Sequence, residues 1–162
     1  MTIKLDDITD FENNKLNSWK PRLPEFTSQG HANWQFITIN GKKALLFNTN
    51  GGIDNSGSVL TKQYSNLTFG HWYSLTVYVR RYNNVNPAPT ISLRVGVSEN
   101  DSPNDTIIYG ATIPEQGNGT ILSGLIRAQD PAYYFKIYNS TPDALGNDFS
   151  ISRIQVTEHV WL

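Results

Sequence analysis

The chain contains no cysteine, which removes disulfides, thiol chemistry and cysteine-ligated zinc from consideration. Charge is scarce. Charged residues make up 17% of the chain, against about 25% in an average globular protein. Lys+Arg 13 against Asp+Glu 14 leaves a net charge of −1, so no basic excess exists to hold nucleic acid or an anionic membrane. Long apolar runs are also missing, and nothing approaches the length of a membrane span. The N-terminal "MTIKLDDITDF" brings in acids at once and has no apolar core of signal-peptide length. The expectation is a cytoplasmic protein, one released by a signal-independent route, or part of a larger protein.

Enzyme signatures are lacking too. No GxSxG elbow, P-loop or dinucleotide fingerprint occurs. His31, His71 and His159 are far apart, with no HxH or HExxH spacing for zinc. The acids fall mostly in turns, and no pair stands out for glycoside hydrolysis. The cluster Glu99, Asp101 and Asp105 in "SENDSPND" lacks the EF-hand pattern and reads as a solvated turn. Four Asn-x-Ser/Thr sequons, at Asn66, Asn104, Asn118 and Asn139, are attributed to a composition rich in Asn and Thr.

Short runs rich in Val, Ile, Thr, Tyr and Phe alternate with Gly, Pro, Asn, Asp and Ser clusters. Strands are expected near 3–10, 33–39, 43–48, 57–63, 71–81, 90–98, 105–112, 120–127, 132–138 and 148–158. About ten short strands with turn-rich joints and little helical periodicity predict an all-β sandwich or barrel. The 162 residues fit one domain, 1–162, with no linker or repeat. A polar but uncharged surface suits neutral partners such as sugars.

The alternation assigns faces. In "WYSLTVYVRR", Tyr73, Leu75, Val77 and Val79 point one way, and Trp72, Ser74, Thr76, Tyr78 and Arg80 the other. In "TISLRVGV", Ile91, Leu93, Val95 and Val97 oppose Ser92, Arg94 and Gly96. In "YYFKIY", Phe135 and Ile137 point inward, and Tyr134, Lys136 and Tyr138 outward. The last strand breaks parity: Phe149 and Ile151 share one face, Ile154 and Val156 the other. A bulge near Ser152–Arg153 would restore the phase.

Several stretches together resemble a known family. "DFENNKLNSW", "GKKALLFNT", "SGSVLTKQYSNLTFGHWYSLTVYVR" and "ALGNDFSISRIQV" are similar, in order and spacing, to the jelly-roll carbohydrate-binding modules of the galactose-binding-like group appended to xylanases. The resemblance implies a two-sheet antiparallel β-sandwich. It implies non-catalytic, lectin-like binding of a glycan or polysaccharide by aromatic stacking and hydrogen bonds. Similar sandwiches also occur in bacterial adhesins, tail fibres and toxins, so the alternative is an interaction or assembly domain. That domain would contact protein or self-associate, with the apolar tail around Trp161 as a candidate contact.

The resemblance also implies a structural calcium tying the first strand to the last. Glu12 matches its first ligand. The closing "ID" positions read Ile151-Ser152, with Arg153 where another acid is common, and Asp10 or Asp148 would have to compensate. Alternatively Glu12 caps a turn or pairs with Arg153. For sugar, the outward set Tyr78, Arg80, Arg94, Tyr134, Tyr138 and Trp72 has the right chemistry: flat aromatic surface and planar polar groups. The same residues could instead form a second packing layer or sit singly on the sheet exterior. Trp19 is expected to pack at the sandwich edge, and Trp34 in the core or at its rim.

Overall fold

The computed structural model describes residues 4–25, 33–49, 54–115, 117 and 119–160. Trp161, His31 and Asn118 therefore lie outside the described residues. Eleven strands run in order: β1 Asp6–Thr9, β2 Lys20–Pro21, β3 Asn33–Ile39, β4 Lys42–Asn48, β5 Gly57–Tyr64, β6 Trp72–Arg81, β7 Thr90–Gly96, β8 Thr106–Thr112, β9 Thr120–Arg127, β10 Tyr133–Asn139 and β11 Phe149–His159. A 3-10 turn, Glu12–Asn14, follows β1.

The larger sheet has the order β3-β4-β11-β6-β9, with β1 also pairing β11. The smaller sheet has the order β2-β5-β10-β7-β8. Every described pairing within the two sheets is antiparallel. The inner faces meet in a core that draws on both sheets: Leu75, Val77 and Val79 from β6, Ile91 and Leu93 from β7, and Phe135 and Ile137 from β10, all buried. Tyr73 joins them, its hydroxyl accepting the Thr68 amide proton at 2.9 Å. Phe149 stacks on Phe47 with ring centroids 5.1 Å apart, joining β11 to β4 in the larger sheet. Val97 departs from expectation: β7 ends at Gly96 and Val97 is 68% exposed.

The parity break in β11 is resolved as a bulge. Ile151 pairs with Val79 and Arg153 with Tyr78, leaving Ser152 as the extra residue. Ile151 and Ile154 are both buried, so Ser152 and Arg153 are the two positions absorbed by the shift. The β3–β4 hairpin turns on Asn40 and Gly41, both at positive φ (51° and 80°). This is the Asn-Gly turn whose twist suits a two-residue hairpin.

The stretch after β1 is built from uncommon backbone. Phe11, Asn13, Asn14, Asn17 and Ser18 all have φ between 50° and 64°. Asn tolerates this left-handed region better than most residues, which accounts for its density here. The turn sinks Phe11 into the core beside Phe36, ring centroids 6.4 Å apart. Trp19 is 1% exposed and meets Tyr64 edge-on at 6.4 Å. Trp34 is buried against Phe36. Both tryptophans are therefore packing residues, as expected.

Candidate functional site

The outward side of β6 carries Tyr78 and Arg80 onto the outer face of the larger sheet. Register places Ile121 of β9 on one side of Tyr78 and Arg153 of β11 on the other. The Arg153 guanidinium lies 5.8 Å from the Tyr78 ring centroid. Between this row and the tip of the β3–β4 hairpin lies a groove of about 440 Å³. Ala44 and Ser150, both buried, form its base, while Tyr78, Ile121, Asn40 and Lys42 border it. Tyr78 is 37% exposed, leaving ring surface for a ligand. Arg80 lines the same groove, and its Nε is buried with no hydrogen-bond partner among the described residues. The bulge contributes directly, because Ser152 also lines the groove.

The six sequence-derived ligand candidates do not form one surface. Tyr78, Arg80 and Trp72 lie on β6 in the larger sheet, whereas Arg94, Tyr134 and Tyr138 lie on β7 and β10 in the smaller one. Outward residues of two stacked sheets face opposite sides of the molecule, and alternation within a strand cannot show which sheet the strand joins. Even on β6, Trp72 is six residues from Tyr78, about 20 Å along the strand, so the groove contains only Tyr78 and Arg80 of the original set.

On the smaller sheet, Arg94 stacks on Tyr138 with its guanidinium 3.6 Å from the ring centroid. It also donates from Nε to Ser92 Oγ at 2.8 Å. One face of Tyr138 is thereby occupied. Lys136 points outward yet its side chain is 0% exposed. Its Nζ donates to the Asn100 carbonyl at 2.7 Å and to Asp105 Oδ2 at 2.8 Å. The "SENDSPND" segment is a turn exposed over most of its length, as expected, but its Asp105 side chain is buried. It is a strap laid across this sheet, with Asp101 accepting from the Ser58 amide at 3.0 Å and from its hydroxyl. Gly96 makes room for the strap, since a Cβ there would lie 2.0 Å from Asp105 Oδ1.

Asp10, Glu12 and Asp148 do not converge on a calcium site. Asp148 precedes β11 and is engaged by the Thr49 amide and hydroxyl and by Asn83 Nδ2, at 2.8, 2.9 and 3.0 Å. Asp10 accepts the Glu12 amide proton at 3.1 Å, next to the far part of β11 where Thr9 pairs with Ile154. Among the described residues, no three His, Asp or Glu side chains gather for a metal. Calcium calls for six to eight oxygens with several carboxylates, and this donor set does not fit it. Nor does Glu12 pair with Arg153, whose Nη2 donates to Gln155 Oε1 at 3.4 Å.

A charged network joins the sheets instead. Asp7 of β1 accepts from Lys62 at 2.7 Å, from the Tyr64 hydroxyl at 2.5 Å and from Asn17 at 2.9 Å. Burial alone would raise the Asp7 carboxyl, but these hydrogen bonds and the Lys62 charge hold it below its ordinary value. The same burial, with Asp7 alongside, pushes the Tyr64 hydroxyl well up. Sequence reading missed this latch because its members are spread from position 7 to 64. The sequon at Asn139 is closed to modification in the fold: its side chain is buried and donates to Asn147 Oδ1 at 2.9 Å.

No family model and no curated protein matches the chain in sequence. Solved structures do match it in shape. The C-terminal domain of EclA, described as a sugar-binding protein, is similar with a TM-score of 0.60 and 23% identity, over 93% of this chain and 97% of that one. The CBM22-1 xylan-binding domain of Paenibacillus barcinonensis Xyn10C gives 0.69 at 12% identity, over 99% and 100%. The C-terminal family 22 module of Clostridium thermocellum Xyn10B gives 0.64 at 15%, over 93% and 92%. The chain has the fold of the xylanase-associated carbohydrate-binding modules. At these identities the likeness fixes the architecture, and the binding chemistry has to be read from this chain's own side chains.

Proposed function

We propose that the chain is a non-catalytic glycan-binding module whose ligand lies in the groove on the outer face of the larger sheet. The observation that carries this is the half-exposed Tyr78 ring standing in an open groove beside Arg80. An aromatic face accepts the apolar CH side of a pyranose, and planar donors pair with its substituents. The shape shared with sugar-binding and xylan-binding domains supports the same reading. No carboxylate lines the groove among the described residues, so the acid pair of a glycosidase is not assembled there. Arg94, Tyr134 and Tyr138 carry similar chemistry on the opposite face, but Arg94 already covers one side of the Tyr138 ring.

Affinity for a single site of this size should fall in the range of about 1 µM to 1 mM, or roughly −8 to −4 kcal/mol. The test is a glycan array on the purified chain and on Tyr78→Ala, with calcium and with chelator. Binding to a defined sugar class that Tyr78→Ala abolishes, at an almost unchanged melting temperature, is the expected result. Chelator should make no difference. Retention of binding by a folded Tyr78→Ala protein would remove the groove from the account.

A further inference from the structure

The charge of the groove narrows the ligand, an inference that rests on the glycan reading above. Lys42 and Arg80 line the groove and Arg153 stands behind Tyr78, yet none of the three is ion-paired among the described residues. The Nε atoms of Arg80 and Arg153 are both buried without an acceptor among the described residues. Glu115 lines a smaller hollow beside Arg80 and pairs with no cation among the described residues. Other sequestered cations have oxygen partners: Lys62 holds Asp7 at 2.7 Å, Lys136 holds Asp105 at 2.8 Å, and the buried Arg81, though not ion-paired among the described residues, donates from Nη2 to the Val85 carbonyl and Asn86 Oδ1 at 2.9 and 3.0 Å.

A guanidinium partly withdrawn from water with no counter-charge is unfavourable. Its fork of donors is met best by a planar or multi-oxygen anion. We propose that the groove takes a sugar residue bearing a negative substituent, a ring carboxylate or a sulfate ester. The pyranose face lies on Tyr78, the anionic group meets Arg80, and Lys42 holds a second charge at the groove's mouth. The net charge of the whole chain, −1, makes this cationic groove a local feature and not a consequence of composition.

Three probes test it on the full chain: a short oligogalacturonide, its carboxyl-reduced neutral counterpart, and a sulfated galactan oligosaccharide. Binding is read by calorimetry and by amide chemical-shift mapping. The expected result is that an acidic probe shifts the groove amides and binds roughly tenfold or more tighter than the neutral one. Added salt should erode that preference. Whichever acidic probe binds identifies the anion. Arg80→Gln and the exposed Lys42→Gln should each reduce the preference, while Lys20→Gln on the opposite face should not. Lys42→Gln keeps the test decisive if Arg80→Gln fails to fold. Equal binding of the neutral probe at the groove overturns this inference and leaves the glycan reading standing. Failure of all three probes, on a chain that also fails the wider array, overturns both.

Discussion

Lys136 shows how a single side chain can reverse a surface reading. Alternation puts it outward on β10 between Tyr134 and Tyr138, and that direction is right. Its amine nevertheless ends in a closed pair with Asp105, both side chains at 2% exposure or less. Replacing it with Met leaves Asp105 buried and uncompensated, which should cost about 3–5 kcal/mol in denaturant unfolding. Adding Asp105→Leu to Lys136→Met should return most of that loss. The double variant should still bind glycan, because the pair belongs to the sheet opposite the groove. Nothing local in "YYFKIY" announces the burial, since it is produced by a strap more than thirty residues earlier in the chain.

At the scale of the element, β11 is the informative strand. Its parity break was legible in the sequence: four apolar residues that must all reach the core cannot do so from one regular strand. Two consequences were not legible. The bulge delivers Ser152 to the groove and brings Arg153 beside Tyr78. It also falls where β11 exchanges partners, pairing with β4 before the break and with β1 after it. Deleting Ser152 would remove the extra residue and leave a regular strand in which Phe149, Ile151, Ile154 and Val156 all share the core face. The expected outcome is a melting temperature lowered only slightly and weakened glycan binding, because the core face is kept while the groove loses Ser152. The strands themselves were found within a few residues because alternation and turn residues are local signals. The two-residue β2 and the 3-10 turn carry no such periodicity and were missed.

Across the whole molecule, sheet membership decided what could be predicted about the site. The residue types suited to sugar were identifiable, but a strand's sequence does not say which sheet it joins, so Tyr78 and Arg80 were grouped with Arg94 and Tyr138 from the other side. The same holds for the Asp7 latch, which spans both sheets, and for Glu158, which accepts from the Leu5 amide at 3.1 Å and meets His71 at 2.6 Å. For Glu158, burial would raise the carboxyl, but His71, the Leu5 amide and Tyr73 outweigh it and hold it low. Both acids thus have folded values below their ordinary 3.8 and 4.5. Their contribution is fully present above those ordinary values and is lost as pH falls through the lowered ones. The melting temperature should therefore hold through mild acid and fall below about pH 4, with Asp7→Asn showing a shallower fall.

The most direct test of the account is amide chemical-shift mapping of the chain titrated with a glycan that it binds. The account predicts shifts centred on Tyr78, Arg80, Ile121 and Ser152. Shifts centred on Arg94, Tyr134 and Tyr138, with the groove silent, would contradict it and place the binding surface on the strapped sheet.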